Sequence, residues 1–412
     1  MPFRACLAAL VLSLSATLAA ATDRAAVERD YRAWLEDTVW PAAAAAGVSR
    51  TTFDRATGGL RLDWDLPGLV PPGGAPVPRR QRQAEFGSPG RYFDAGGVAA
   101  AVRIGREMAA RHAPALAAAE RATGVPGHIV LAIWGRESNY GRAAIPHDAF
   151  EVLGTKGFMS TRPELFTAEL VAALRIAEDG HAGPGGLRSS WAGALGQPQF
   201  MPSSFLEHAA DGDGDGRADI WNSEADTIAS IATYLARHGW VAGRDWGFEV
   251  TLPADMSCTL EGPDRGRPIR EWEAMGIARV SGRAFPAHER DGEGYLMLPA
   301  GRNGPAFLVT PNFYVLKDYN MSDLYALFVG HVGDRIAYGV GDFAAPWGPV
   351  GGLMRSDVAE MQRALQAMGH DTGGADGLAG FRTRRAIGAW QEERGDAATC
   401  FPETGMRAAL GR

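Results

Sequence analysis

Helical periodicity over most of the chain, one region of short β-type runs and a separate amphipathic tail predict a mainly α protein of the α+β class. In this reading a helical body carries a small inserted β subdomain and is followed by a compact tail of helices. Apolar residues recur at spacings of three and four over 23–64, 97–122, 127–138, 163–180 and 225–240, as helices with one buried face require. Between Trp246 and Lys317 the texture changes to "FEVTL", "YLMLPA" and "AFLVT", separated by Gly, Pro and Asp clusters, the pattern of short strands.

The 412 residues suffice for two or three domains, and 46% hydrophobic against 22% charged residues supply ample core. A net charge of −7 without any basic run argues against nucleic acid as a partner, since phosphate binding needs clustered Lys and Arg.

The first element, "MPFRACLAALVLSLSATLAAATD", joins Arg4 to an apolar stretch from Leu7 to Leu18 and then to small residues. That is the pattern of a signal peptide over 1–21, cleaved near Ala21. A membrane anchor is the competing reading, but the stretch is shorter than the ~20 residues a spanning helix needs. The expected location is therefore periplasmic. The body follows over 22–340, with the β subdomain at about 246–318, a Gly/Pro-rich linker over 341–352 and the tail over 353–412. Pro and Gly also exclude a long regular element from the segment beginning at Leu66. Cys258 and Cys400 remain after cleavage; an oxidising compartment permits a disulfide, and the sequence leaves open whether they approach each other.

Two segments carry candidate chemistry. In "AIWGRESNYGR", Pro126 suits a helical first turn, and Ile129, Ile133 and Glu137 then fall on one face at steps of four. Glu137 thus continues an apolar stripe. Partial burial raises a carboxyl pKa, as a general acid near neutral pH requires. Taken alone, the segment also reads as a frayed helix end with a solvated charge. The second segment, "SSWAGALGQPQFMPSSF" (189–205), mixes Gly, Ser and Gln with Trp191 and Phe200. It offers hydrogen-bonding groups beside aromatic surface, which suits a sugar, or it is a Gly-rich loop leading into a helix.

Together "IWGRESNYGR" and "GALGQPQFMPSSF" resemble the catalytic motifs of the lytic murein transglycosylase B family, and "DGDGDGRADIWN", "TYLARHGW" and "LKDYNMSDLYA" follow in that family's order. The resemblance covers about 24–340 and implies a lysozyme-like helical catalytic domain. It implies Glu137 as the single acid/base, with Ser190 and Gln199 beside it binding sugar, and Tyr234, Tyr319, Asn320 and Tyr325 in the groove. Tyr92 lies at a family-like distance before Glu137, in diverged surroundings. Arg162 resembles one of a pair of arginines, but Pro163 stands where the second would be; Pro198 stands where Gly is usual. The implied activity is cleavage of peptidoglycan glycan strands between N-acetylmuramic acid and N-acetylglucosamine, leaving 1,6-anhydromuramic ends. No cofactor is implied for the chemistry, and the expected state is a monomer whose further partners are other cell-wall enzymes.

In "DGDGDGRAD", Asp211, Asp213, Asp215 and Asp219 occupy positions 1, 3, 5 and 9 of an EF-hand-type loop, with Gly216 at 6. This pattern predicts a structural Ca²⁺, against the alternative of a solvated Asp-Gly turn. The twelfth position is Asn222, so a later acid must complete the shell. The resemblance assigns Asp226, with Glu224 the competitor.

The tail places Val358, Met361, Leu365 and Met368 on one helical face. It resembles a three-helix peptidoglycan-binding domain, with Asp376, Gly377, Gly380, Thr383, Trp390 and Gln391 matching and Phe381 where Pro is frequent. The resemblance implies a tether that concentrates the enzyme at the wall; a helical packing module is the alternative. Two rival functions stand beside the transglycosylase: a hydrolytic muramidase on the same fold, and a non-catalytic wall-binding protein.

Overall fold

The computed structural model describes residues 23–74, 89–181, 186–348 and 352–410. The signal segment 1–21 lies outside them, as do 75–88 of the Pro/Gly-rich stretch and 349–351 of the linker.

The body is helical. Helix α1 (Arg24–Trp34) runs through one π-helical turn into α2 (Trp40–Ala45), and α3 is Arg50–Thr57. The Ala-rich stretch forms two helices rather than the single one expected, α4 (Ala95–Arg111) and α5 (Ala113–Thr123). Pro114 sits in the first turn of α5, where its missing amide is tolerated, and would break a continuous helix. Then come α6 (Gly127–Ser138), α7 (Ala149–Met159), α8 (Pro163–Glu178), α9 (Pro202–His208) and α10 (Glu224–Arg237). Helix α6 is central: Ile129 to Trp134 are each at most 1% exposed. A helix apolar all round has to be enclosed on every side, and α4, α5, α10 and a later helix, α13 (Asp323–Tyr338), enclose it.

The three β-type runs form the core of one antiparallel sheet. Strands β3 (Gly247–Thr251), β6 (Glu293–Met297) and β7 (Ala306–Val309) lie between short edge strands β4 (Arg267–Pro268) and β5 (Ala278–Arg279), in the order β4-β6-β7-β3-β5. Leu308 pairs with Phe248 on one side and Leu296 on the other, so one face buries a continuous apolar row. Helix α11 (Ile269–Ala274) adds Trp272 to that cluster. A two-residue pair, β1 (His147–Asp148) with β2 (Arg188–Ser189), pins the Gly/Ser/Gln loop to the start of α7. The segment expected as part of the β subdomain up to 318 ends as a helix, α12 (Pro311–Tyr319), capped by Thr310.

The tail forms α14 (Arg355–Ala367), α15 (Phe381–Glu393) and α16 (Met406–Leu410) around Val358, Met361, Leu365, Ile387 and Trp390. Met368 does not join them; it stands at the C-cap of α14, about half exposed. Buried Gln362 explains the tail's motif. Its amide donates to Asp376 Oδ1 at 3.1 Å and Thr383 Oγ1 at 3.0 Å, and its carbonyl accepts from Gly377 N at 2.7 Å. Trp390 is buried, so these motif residues serve packing of the module.

Cys258 and Cys400 form a disulfide with Cα atoms 6.1 Å apart, joining the β subdomain to the tail across 142 residues. Gly388 makes room for it: a Cβ there would lie 2.2 Å from Cys400 Sγ. A cross-link over so long a loop removes much unfolded-state entropy. The Cys258→Ser/Cys400→Ser double variant is expected to lose roughly 2–5 kcal/mol of stability in denaturant unfolding; unchanged unfolding would show that the cross-link contributes nothing.

Candidate active site

Glu137 is the last acid before helix α6 stops, and the stop is abrupt. Asn139, Tyr140 and Gly141 all take left-handed backbone angles (φ 50°, 59° and 74°). Their amides close the helix end: Asn139 N reaches Gly135 O at 3.0 Å and Tyr140 N reaches Trp134 O at 3.3 Å, a C-terminal capping pattern. Tyr140 is bulky for such angles; its buried ring packs on Trp134 and its hydroxyl donates to Ala101 O at 3.1 Å. Gly141 tolerates no side chain, since a Cβ would lie 2.3 Å from Gln197 Oε1. That oxygen accepts from Trp134 Nε1 at 2.9 Å, and the Gln197 amide donates to Trp221 O at 3.2 Å. Thus Gln197, which the sequence reading passed over in favour of Gln199, locks the Gln loop to the glutamate helix.

The Glu137 side chain is half-buried, and Tyr325 Oη donates to its Oε1 at 2.5 Å. Burial pushes the carboxyl above the ordinary glutamate range; the Tyr325 hydrogen bond, and then the charge of Arg136, pull back against it. Arg136 itself packs over the Tyr92 and Phe328 rings at 4.9 and 5.0 Å. Tyr325 and Tyr319 are raised well above the usual phenol range, first by burial and then by the Glu137 charge, so both hydroxyls stay protonated donors. Glu137 is the one acid in "IWGRESNYGR", and "GALGQPQFMPSSF" contains none.

From this pair an aromatic wall runs to the Gln loop. Tyr319 stacks on Tyr325 at 6.4 Å, Tyr234 meets Tyr319 at 4.7 Å, and Phe200 contacts Tyr234 at 5.6 Å. The Tyr319 hydroxyl donates to Pro198 O at 2.7 Å, and the Tyr234 hydroxyl to Asp318 O at 2.8 Å. Gln199 follows in left-handed backbone, φ 55°, with its amide donating to Gly196 O at 2.8 Å. Asn320 ends α12 with an exposed side chain. Ser190 heads the turn at the other end of the loop, its Oγ accepting from Ala192 N and Ala194 N at 3.3 and 3.2 Å.

The remaining candidates sit differently. Tyr92 reaches the centre through Arg136. Arg162 lies at the exposed start of α8, 5.5 Å from the Phe166 ring. It belongs to a separate patch in which Lys156 lies over Phe166 and the half-exposed Trp191. In the acidic loop, Asp211, Asp213 and Asp226 bring carboxylate oxygens within 4.8 Å of one another. Buried Asp226 organises the loop, accepting from Gly212 N, Asp213 N and Asp219 N at 2.8, 3.3 and 2.7 Å. Asp215 stands outside that group, its Oδ1 accepting from Arg217 N at 2.8 Å. Asp219 likewise turns to Trp221 N and Asn222.

A model of the transglycosylase SLT domain matches residues 30–334, and one of a peptidoglycan binding domain matches 354–400. The chain belongs to the transglycosylase SLT-domain family. It is 32% identical over 219 residues to the membrane-bound lytic murein transglycosylase B of Escherichia coli strain K12, which covers 52% of this chain and 58% of that protein. The match thus spans little more than half of that curated relative. SltB3 from Pseudomonas aeruginosa, solved in complex with NAG-anhNAM-pentapeptide and with NAG-NAM-pentapeptide, is 36% identical. Those two structures cover 93% and 92% of this chain and 99% of theirs, with TM-scores of 0.79 and 0.81. Escherichia coli Slt35 in complex with calcium is 29% identical, covering 62% of this chain and 80% of that one at a TM-score of 0.52. The lysozyme-like SLT fold expected from the motifs is the fold of this chain.

In this SLT domain Tyr325 favours the ionised form of Glu137, so its removal leaves burial unopposed on that side. Tyr325→Phe is expected to raise the Glu137 pKa further, because the charge-assisted hydrogen bond that favours the carboxylate is lost, and a carboxyl NMR titration reads that upward movement. A titration that stayed in place would rule out that role for the phenol.

Proposed function

We propose that the protein is a lytic transglycosylase that cleaves the β-1,4 bond between N-acetylmuramic acid and N-acetylglucosamine in peptidoglycan without water. The observation that carries this reading is Glu137, held by Tyr325 at the end of a buried helix and the one acid in the two motifs "IWGRESNYGR" and "GALGQPQFMPSSF". Glycosidases that use water generally need a second acid to activate it or to attack the sugar. With one carboxyl, the substrate has to supply the nucleophile. Protonated Glu137 donates to the glycosidic oxygen as that bond breaks. The resulting carboxylate takes the proton of the muramic 6-hydroxyl as its oxygen bonds to C1, closing the 1,6-anhydro ring and restoring the acid. A group that gives and then takes a proton works best with its pKa near the working pH, and burial moves Glu137 upward, in that direction. SltB3, crystallised with an anhydro-sugar ligand, supports the same product class here.

Tyr319, the partly exposed member of the aromatic row, suits a sugar ring, with Phe200, Tyr234 and Tyr325 buried behind it; Ser190, Gln199 and Asn320 offer polar groups beside it, Tyr92 would act through Arg136, and Arg162 from the separate patch around Phe166. Asp211, Asp213 and Asp226 fit a structural Ca²⁺, since hard oxygens from three carboxylates converge, and Slt35 has been solved with calcium. The ion would brace the loop between α9 and α10, and no step of the reaction passes through it. No helix among the described residues is long and apolar enough to cross a membrane. The leader-like segment supports secretion to the periplasm, and the tail module supports attachment to peptidoglycan.

Glu137→Gln is expected to lower turnover of purified sacculi by about 100-fold or more, the scale of general acid–base catalysis, while sacculus binding persists. Mass spectrometry of the wild-type products should give anhydromuramic ends; products heavier by one water would replace this proposal with the hydrolytic muramidase. Intact turnover by the Gln variant would remove Glu137 from the reaction. For the loop, calcium at 100 times its Kd should stabilise the fold by about 2.7 kcal/mol, and Asp213→Asn should abolish that increment in thermal unfolding. Equal responses in both proteins would exclude the loop as the binding site.

A further inference from the structure

The tail module is fastened to the body by charge as well as by the disulfide. Arg384 on α15 is 3% exposed. It donates to both oxygens of Glu261 at 2.9 and 3.0 Å, and to Asp323 Oδ2 at 3.4 Å. Glu261, fully buried in the β subdomain, also accepts from Leu298 N at 3.1 Å. Lys317 on α12 holds the other oxygen of Asp323 at 2.6 Å. Two cations and two anions from four segments therefore meet at one seam.

That seam adjoins, in the chain, the segments that carry Tyr319 and Tyr325. Asp323 opens helix α13, and its neighbour Ser322 caps the helix by accepting from Tyr325 N at 3.3 Å. Lys317 precedes Tyr319 by two residues, and Tyr319 stacks on Tyr325. The corner between α12 and α13, which carries Tyr319, Asn320 and Tyr325, is thus tied on its outer side to a guanidinium belonging to another module.

We infer that Arg384 of the peptidoglycan-binding module is a positioning residue for the Glu137–Tyr325 pair. The inference rests on the reaction proposed at Glu137. The planar guanidinium grips both oxygens of Glu261 and still shares one nitrogen with Asp323; an ammonium has no such fork. Without Arg384, Glu261 becomes an uncompensated buried charge, and Asp323 keeps only Lys317. The corner is then free to shift, and a displacement of about 1 Å at a catalytic group is enough for roughly 100-fold in rate. The groups that act on Glu137 are Tyr325 from α13 and Arg136 on its own helix, while Tyr319 from α12 faces it across the stack. Of these, the two tyrosines sit on the corner that Arg384 holds. Weakening the Tyr325 bond raises the Glu137 pKa, so the alkaline limb of the rate profile, where the acid form is lost, moves to higher pH.

The test compares full-length Arg384→Met, Arg384→Lys and Asp323→Asn with wild type on a short soluble glycan, too small to report wall attachment. Asp323→Asn leaves the Arg384–Glu261 pair intact, so it loosens the corner without undocking the module, and it decides the matter if Arg384→Met does not fold. Expected are a kcat lower by about 10- to 100-fold in Arg384→Met, an unchanged KM and an alkaline limb displaced upward as in Tyr325→Phe. Asp323→Asn should shift the same way, and Arg384→Lys should recover part of the loss. Folded variants with wild-type kcat and pH limb, defective only in sacculus binding, would overturn the inference. A wild-type protein inactive on every glycan would instead overturn the reaction at Glu137, and the inference with it.

Discussion

A carboxyl group at the end of a fully enclosed helix has to be held by something other than bulk water, and here the Tyr325 hydroxyl does it. Much of the fold serves that one hydrogen bond. The apolar surface of α6 fixes where Glu137 stands, and the left-handed run from Asn139 to Gly141 ends the helix before the carboxyl is carried into the core. On the opposite side, Tyr325 can reach Glu137 only because α13 starts where it does, set by the Ser322 cap. The Gln loop closes the third side through Gln197, which bonds the indole of Trp134 one turn before the acid. The Tyr325–Glu137 and Trp134–Gln197 bonds join residues 188 and 63 positions apart, so the site depends on the tertiary fold rather than on any single motif.

That dependence sets what the sequence could convey. Period and composition were sufficient for most of the helices and the central strands, because a helix face or a strand of the "AFLVT" type encodes its own burial, but α7 and α12 were not read as helices. The apolar stripe of α6 placed Glu137 at the end of that face but read equally as a frayed helix end; the resemblance of the ordered motifs assigned it the acid. The break between α4 and α5 was written in Pro114 yet masked by the run of alanines around it. The two glutamines of "GQPQ" are alike in chemistry; only the approach of Trp134 distinguishes the one that braces the fold. Tyr325 was assigned to the groove by resemblance, but its bond to Glu137 spans 188 residues and no local pattern reports it. In the acidic loop, alternate aspartates suggested four cooperating carboxylates, whereas the oxygens that converge are those of Asp211, Asp213 and Asp226, the last brought in by helix α10.

The tail shows the same limit at the scale of domains. A Gly/Pro-rich linker reads as a flexible tether, and effective concentration would then be its whole contribution. The disulfide and the buried Arg384–Glu261 pair oppose that picture. A guanidinium 3% exposed, with both oxygens of a fully buried carboxylate as partners, is poorly suited to docking and undocking, since each separation would leave a charge to be resolvated or stranded. The module is built into the body, and the linker only carries the chain from one part to the other.

The choice of a phenol as the partner of Glu137 has a chemical logic. An arginine bonded to the carboxyl would stabilise the ionised form strongly and leave too little acid at neutral pH. A second carboxylate would raise the pKa, but it would also furnish a competing base or nucleophile. A neutral phenol avoids both. It donates one hydrogen bond, pulls the burial-raised pKa part of the way back, and never changes its own charge, because burial and the neighbouring Glu137 hold it far above the phenol range. Arg136, the nearest cation in sequence, packs across Tyr92 and Phe328 and ranks below burial and the phenol in its effect on Glu137. Burial sets the direction of the shift and Tyr325 limits its size. In the proposed reaction, one glutamate can therefore give a proton as the glycosidic bond breaks and recover one as the anhydro ring closes.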